Sequence, residues 1–486
     1  MKRALLAVLL GLVGFPALLA RGPVMAADGE MTTGRFWYIC DHLELQGEAG
    51  GEIMLLAALP LSHPGQQVTI EEIHPEPEAV IEDPDQGNRI VLWHLKGLRE
   101  IESTEFYYDF VVMPQRYEPD IDPARVESYD TDPALFRRYT RPEHWIELTP
   151  DIRTKAAEIA AGETHPYRLA SRAYDWVVAN MTFDTTEIPE RGAAKAFPRR
   201  TGDCGEFAAV FCALCRSLGV PARPVCGVWL GGGLHKWAEF YLPPYGWIPA
   251  DPAAGQLIKP GSGLLSDTEI DAFLERRGIP TRDPKAMFGR RYADRVCVSH
   301  GFNIEVHAEA EQSWHTFHYL QPGGADAYPP AIEFHGLAPS VVHGGFFLFG
   351  PKSRDRSYAI EMAYQKLAQH YFDLGMFDRI EQGCNQLLES DPDDARAWLN
   401  LGRVYMGKRE YYKAIASLRK AVLGEKNRVW PLTEVWARNL LGNCYDMVGH
   451  REMALDEYQH VIATAINVGG AVDYARKFIN TPYEGP

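Results

Sequence analysis

Three residues, Cys204, His235 and Asp251, stand in settings that suit nucleophilic catalysis by a thiol. Cys204 lies in Thr201-Gly202-Asp203-Cys204-Gly205-Glu206-Phe207, which reads as a loop turning into a helix. Asp203 suits the N-cap, and Glu206 three residues later closes a capping box. Phe207, Val210, Phe211, Leu214, Cys215 and Leu218 then recur with the helical period, until Gly219 and Pro221 end the run. The cysteine therefore occupies the first helical position, where free backbone N–H groups and the helix dipole favour an anion. The expectation is a stabilised thiolate.

A thiol nucleophile needs a base and a group to orient that base. Leu234 to Leu242, with His235 near its start, alternates like a strand, and Trp247-Ile248-Pro249-Ala250-Asp251-Pro252 follows after Pro243-Pro244-Tyr245-Gly246. A hairpin would return Asp251 to His235, giving the cysteine, histidine and carboxylate arrangement of acyl transfer. Side chains alternate by two along a strand, so the two residues share a face only if paired positions sum to an even number. That demands a loop of odd length, or a bulge, between Leu242 and Trp247.

Around these residues the chain resembles the bacterial branch of the transglutaminase-like superfamily. The matching elements run in order: Ala173-Tyr174-Asp175-Trp176-Val177 with Asn180 to Asp184, Gly202-Asp203-Cys204, Arg216 to Arg223, His235-Lys236-Trp237, and Trp247 to Pro252. The resemblance implies a papain-like α+β core in which Cys204 is the nucleophile, His235 the base and Asp251 the orienting residue. No cofactor and no metal is expected.

The chain has 486 residues, room for about three domains. Hydrophobic residues make up 46%, enough for packed cores, and the net charge of −16 argues against nucleic acid as a partner. Met1-Lys2-Arg3, an apolar run from Ala4 to Ala20 and small residues up to Ala26 read as a signal peptide, so a periplasmic or secreted protein is expected. No later stretch is long and apolar enough to span a membrane. The eight cysteines are scattered, not spaced as a disulfide framework, and Cys212 and Cys215 read as small buried residues.

The expected architecture is multidomain. Residues 1–26 are the signal peptide. Short strand-like runs over 30–116, punctuated by turns such as Asp85-Gln86-Gly87-Asn88, predict an antiparallel β-sandwich. That turn resembles one in the N-terminal β-domain of many transglutaminase-like proteins. A Pro- and Asp-rich linker, with a short helix at Ala134 to Tyr139, leads to the catalytic core at 145–300, with helices at Thr149 to Ala161 and Tyr167 to Asn180. A β-rich extension covers 301–350. From 358 to 470 the chain reads as an all-α array, in which Leu367, Leu401 and Leu441 head copies of one pattern. The first offset is 401 − 367 = 34 residues and the second is 441 − 401 = 40, the excess falling near Val429 to Leu432. With Trp398, Leu401, Gly402 and Tyr405, the pattern resembles tetratricopeptide repeats, which implies a protein partner on the concave face.

Other candidates fare less well. Trp176 shares a helix face with Ala173 and Val177 and reads as core, not as an oxyanion donor. Arg191, Lys195, Arg199 and Arg200 form either a solvated loop or a cationic rim selecting an acidic substrate. Gly231-Gly232-Gly233 lacks the lysine and hydroxyl residue of a phosphate loop and precedes a strand, so it reads as a rim beside His235. His315 and His318 fall on opposite strand faces and do not chelate. The composite expectation is an exported cysteine-dependent enzyme acting on amide or peptide bonds of a protein or peptide, with water or an amine as acceptor. The alternative is an envelope adaptor whose repeats bind a protein, the core serving as a non-catalytic recognition module.

Overall fold

The computed structural model describes residues 29–485, except 46–49, 84–85, 100, 130–132, 185–189, 231–233, 263–264, 266, 278, 309–312, 319–330, 336, 350–353, 355–376, 391, 424–430 and 466–470. The stretch read as a signal peptide, the triple glycine and the first repeat's Leu367 lie outside the described residues. Among those described, no helix is long and apolar enough to cross a membrane.

Six strands come first: β1 (Thr32–Leu45), β2 (Gly51–Leu59), β3 (Gln66–His74), β4 (Ala79–Glu82), β5 (Arg89–Leu98) and β6 (Ile101–Pro114). The middle of the chain forms α1 (Pro133–Thr140), α2 (Pro150–Ala160), α3 (Pro166–Asn180), β7 (Thr182–Phe183), α4 (Ala193–Arg199), β8 (Thr201–Gly202) and α5 (Cys204–Ser217). Next are β9 (Ala222–Trp229), β10 (Leu234–Leu242), β11 (Gly246–Ala250), α6 (Pro252–Leu257), α7 (Asp267–Arg276) and β12 (Arg295–His300). Four further strands, β13 (Asn303–Ala308), β14 (Ser313–His318), β15 (Ala331–His335) and β16 (Leu337–Phe349), precede the helices α8 (Phe377–Ser390), α9 (Ala395–Gly407), α10 (Tyr411–Leu423), α11 (Pro431–Met447), α12 (Arg451–Thr464) and α13 (Ala471–Asn480).

The N-terminal unit is an antiparallel sandwich of two four-stranded sheets, ordered β16-β1-β6-β3 and β15-β2-β5-β4. Alternate residues of β1, β2, β5 and β6 point between the sheets, where Ile53, Leu55, Trp93, Phe106 and Phe110 are fully buried. Strands β15 and β16, read from sequence as part of an extension of their own, supply one edge of each sheet. β16 flanks β1 from Gly34↔Phe349 to Leu45↔Leu337, and β15 flanks β2 from Leu56↔Ala331 to Glu52↔His335. Without them β1 and β2 would each present unpaired backbone groups, an edge that sheet proteins generally cover. Backbone pairing carries no side-chain signature, so sequence patterning alone could not join segments some 300 residues apart. The side chains of His315 and His318 on β14 lie outside the described residues.

The α+β core is built on α5 and the sheet β11-β10-β9-β12. Phe211 of α5 meets Ala238, Phe240 and Leu242 of β10 in one apolar cluster. Helical period predicted a single buried face, yet every residue from Gly205 to Arg216 is buried. α2, α3 and α4 cover the other side, where Ala208, Ala209, Cys212 and Ala213 are small enough to admit them. The seven described cysteines are unpaired, and Cys212 and Cys215 sit inside this packing.

The sandwich and the core sheet share a seam. Val228 and Leu230 on one side of it, with Val296 and Val298 of β12, belong to the sandwich's apolar cluster. Two buried amide side chains from the sandwich act there as surrogate backbone. Gln66 donates from Nε2 to the carbonyls of Leu61 and Cys297 (2.6 and 2.9 Å) and accepts the Cys297 N–H at 2.8 Å. Asn88, on the turn singled out above, pairs in the same manner with His300.

Each C-terminal helix packs against the next in the chain. Gly402 of α9 faces Leu418 of α10, and Gly442 of α11 faces Tyr458 of α12. A Cβ at either glycine would lie 2.5 Å from the opposing side chain, so the two helices of each pair approach as closely as glycine alone allows. Both members of the contact are displaced by 40 residues (442 − 402 and 458 − 418), the spacing read from sequence for the last two copies. The insertion near Val429 lies outside the described residues.

Candidate active site

The helix carrying Cys204 begins as its sequence predicts. Asp203 caps it, accepting the Gly205 N–H at 2.7 Å, and Glu206 returns to the Asp203 N–H at 3.3 Å. Gly202 is required for this turn: a Cβ there would come within 2.3 Å of the Glu206 Cβ, because the glutamate side chain folds back across it. Glu206 is fully buried.

One arginine holds both carboxylates. Arg191 Nη1 lies 2.7 Å from Asp203 Oδ2 and 2.7 Å from Glu206 Oε2. This assigns Arg191 to the interior, not to a cationic rim. Its neighbours are also engaged: Lys195 with Glu190 at 2.7 Å, Arg199 with Thr201, and Arg200 over the rings of Trp176 and Phe197 at 4.3 and 4.2 Å. Part of the segment read as loop is helix α4, because burial of Ala193, Ala196 and Phe197 outweighs its charge and Pro198. Trp176 is half-buried and stacks on Phe197 with ring centroids 5.3 Å apart, a packing role as expected. Burial, then the adjoining Asp203 carboxylate, push Glu206 up to about 8. Asp203 is held low, since Arg191 and Lys236 outweigh the cost of its burial.

The hairpin obeys the parity rule. β10 and β11 pair from Leu242↔Gly246 to Ala238↔Ala250, every pair summing to 488, which leaves the three residues Pro243, Pro244 and Tyr245 as the loop. Asp251, one residue past β11, thus falls on the face of His235 and Trp237. His235 Nε2 and Asp251 Oδ2 are 2.7 Å apart, and both side chains are buried. Asp251 is also the N-cap of α6, accepting the Ala254 N–H at Oδ1 over 2.9 Å. His235 stacks on Trp229 with ring centroids 4.2 Å apart.

Cys204 is partly exposed and packs at the rim of the core. Lys236, the residue after His235, lies close enough to Cys204 for its charge to favour the thiolate. Nδ1 of His235 is buried with no hydrogen-bond partner, so no direct hydrogen bond joins imidazole and thiol. The thiolate expectation fails in this resting arrangement. Burial, and then the negative charge of the N-cap Asp203, push the thiol up to about 12, with Lys236 only partly offsetting them. The helix terminus favours an anion, but the carboxylate that caps it opposes one. His235 is itself lowered, burial outweighing the attraction of Asp251. Asp251 stays well below the usual carboxylate range despite burial, because His235 and Arg295 favour its charge.

Sequence reasoning missed the residues behind Asp251. Arg295, at the start of β12, donates from Nη1 to the same Oδ2 that meets His235. Its Nε bonds Asp294 at 2.9 Å, and Asp294 pairs in turn with Arg277. The Arg295 guanidinium lies 4.1 Å from the Trp229 ring. An arginine opening an apolar strand carries no spacing signal toward a residue 44 positions earlier.

Among the described residues no group of side chains is arranged to hold a metal ion. The model for the transglutaminase-like superfamily matches residues 153–252, and that for the tetratricopeptide repeat matches residues 395–423. An uncharacterized protein of Haemophilus influenzae is 25% identical over 243 residues, 38% of this chain and 61% of the relative. A protein-glutamine gamma-glutamyltransferase of Pseudomonas aeruginosa is 26% identical over 216 residues, 39% of this chain and 30% of the relative. The chain thus covers less than two thirds of either relative's length. Among solved structures, the periplasmic domain of TgpA from Pseudomonas aeruginosa aligns with a TM-score of 0.27 at 18% identity, over 54% of this chain and 96% of that one.

Proposed function

We propose that this chain, whose residues 153–252 form a transglutaminase-like domain, is an exported cysteine-dependent acyl-transfer enzyme acting on amide or peptide bonds of proteins or peptides. The observation that carries the reading is the buried His235–Asp251 pair at 2.7 Å, its histidine on the strand against which the Cys204 helix packs. His235 Nδ1, the imidazole nitrogen left without a partner, takes the thiol proton as the sulfur attacks the carbonyl carbon. The backbone N–H of Cys204 steadies the oxyanion. The imidazolium then returns the proton to the departing amine, leaving a thioester on Cys204. Water or an amine, deprotonated by His235, releases the acyl group and restores the thiol. Asp251 remains ionised throughout and fixes the imidazole tautomer.

Water is the favoured acceptor because it needs no second binding site. The tetratricopeptide repeat supports a protein partner for the C-terminal helices, and the N-terminal apolar run supports export. The test is to incubate the mature protein with a dye-labelled denatured protein, with and without a biotinylated primary amine, beside Cys204→Ala. Cysteine-dependent release of peptides gives hydrolysis, and cysteine-dependent biotin incorporation gives transfer to an amine. Wild-type protein that does neither, while its helical repeats still capture a protein partner, sinks the enzyme reading in favour of the adaptor.

A further inference from the structure

Asp251 Oδ2 serves two donors at once. His235 Nε2 reaches it from β10 and Arg295 Nη1 from β12, while Oδ1 is held by the N-terminus of α6. A catalytic carboxylate given to the imidazole alone would leave one buried negative charge beside it. Here the charges alternate instead: Asp251, Arg295, Asp294 and Arg277 follow one another in contact, all buried, two negative and two positive. With that cluster balanced, a protonated His235 would leave one uncompensated positive charge in a buried site. The charged groups that act on His235 are the members of this cluster, Asp251, Arg295 and Asp294, while Lys236 follows it on β10 and the ionised Asp203 lies farther off at the start of α5, beside Lys236 and Cys204.

We propose that Arg295 is a positioning residue for the acyl-transfer reaction, sharing Oδ2 of Asp251 with His235 so that the imidazole rests neutral and receptive to the thiol proton. This rests on the reading of Cys204 and His235 given above. Two features show a built arrangement and not a chance ion pair. Arg295 is 2% exposed, with its guanidinium 4.1 Å from Trp229, and Trp229 also stacks on His235, so one indole orients both donors to the carboxylate. Asp294 holds the Nε of Arg295, which aims Nη1 at Asp251. The direction of the His235 shift agrees, since Arg295 lowers it against the pull of Asp251.

The consequence is a choice of resting state. With Arg295 in place, thiol and imidazole are both neutral, and the proton moves as substrate is attacked. Without it, the unbalanced carboxylate favours an imidazolium and draws the Cys204 proton onto His235 before substrate arrives. The test is the rate of Cys204 alkylation by iodoacetamide in the full-length mature protein from pH 5 to 10, the modified site read by mass spectrometry. Wild type is expected to react slowly near neutral pH and to speed up only in the alkaline range. Arg295→Gln is expected to gain a low-pH reactive form, its rate at pH 6.5 rising about tenfold for each unit by which His235 is raised. Arg295→Lys, which keeps the charge, should return the profile toward wild type.

If Arg295→Gln does not fold, Arg277→Gln removes one positive charge from the same ladder and should move the profile the same way, by less. A folded Arg295→Gln, or failing that a folded Arg277→Gln, with a wild-type profile overturns the proposal and leaves Arg295 a structural ion pair. Failure of the underlying enzyme reading looks different: Cys204 would then resist iodoacetamide in wild type at every pH.

Discussion

Asn88 and His300 hold the two β units of this protein in register. From its turn in the sandwich, Asn88 donates Nδ2 to the His300 carbonyl at 2.9 Å and accepts the His300 N–H on Oδ1 at 2.8 Å. One side chain thereby satisfies both backbone groups at the end of β12, the strand whose first residue is Arg295. The N-terminal sandwich is thus connected to Asp251 through one strand of the core sheet.

Asn88→Ala leaves the N–H and carbonyl of a buried residue without partners, at a cost of about 1–3 kcal/mol for each group left unsatisfied. Chemical denaturation should register that loss. Asn88→Asp, which keeps an acceptor but loses the donor, should fall between wild type and alanine. A variant as stable as wild type would mean that water replaces the amide.

Asp251→Asn keeps the shape of the carboxylate but removes its charge. The acyl-transfer rate, measured with whichever acceptor the protein uses, should fall by about 10³- to 10⁴-fold, as when a triad aspartate is neutralised elsewhere. His235→Ala should be at least as damaging. A loss of less than about tenfold from Asp251→Asn would remove that residue from the mechanism.

Glu206 gives the core an unusual pH dependence. Its folded-state value is raised, to about 8, so the folded chain holds a proton that the unfolded chain has released above the ordinary glutamate range near 4.5. That contribution is complete below about 4.5 and is lost as the pH climbs through about 8. Asp203 and Asp251 act oppositely, contributing above the ordinary aspartate range and losing it only in strong acid. Melting temperature should therefore decline from pH 5 to 8, and Glu206→Gln should flatten that decline. A slope unchanged in the variant would assign it to another group.

Gly202→Ala places a methyl where the Glu206 side chain lies. The turn before Cys204 must shift or the capping box must open, which should destabilise the protein by about 1–3 kcal/mol. Activity should drop further than stability alone predicts, because the displaced atoms belong to the turn that carries the nucleophile. Full activity at low temperature would show that the turn relaxes without moving Cys204.

Much of this molecule is written locally. The start and length of α5, the capping box of Asp203 and Glu206, the odd three-residue loop and the shared face of His235 and Asp251 all follow from periodicity and from residue types a few positions apart. The repeat spacing is legible for the same reason, since Gly402 and Gly442 answer to contacts sixteen residues away. What required the tertiary structure is whatever depends on long-range pairing or on the summed charge of a buried site. Edge strands β15 and β16 joined the sandwich through backbone groups that every residue carries, so no side chain announced them. Arg191 looked like solvent-facing charge until Asp203 and Glu206 were seen around it, and Arg295 looked like nothing until Asp251 lay beside it. The protonation of Cys204 was misjudged on the same ground: a helix terminus can be read from seven residues, but burial and the net charge of the groups folded around it cannot.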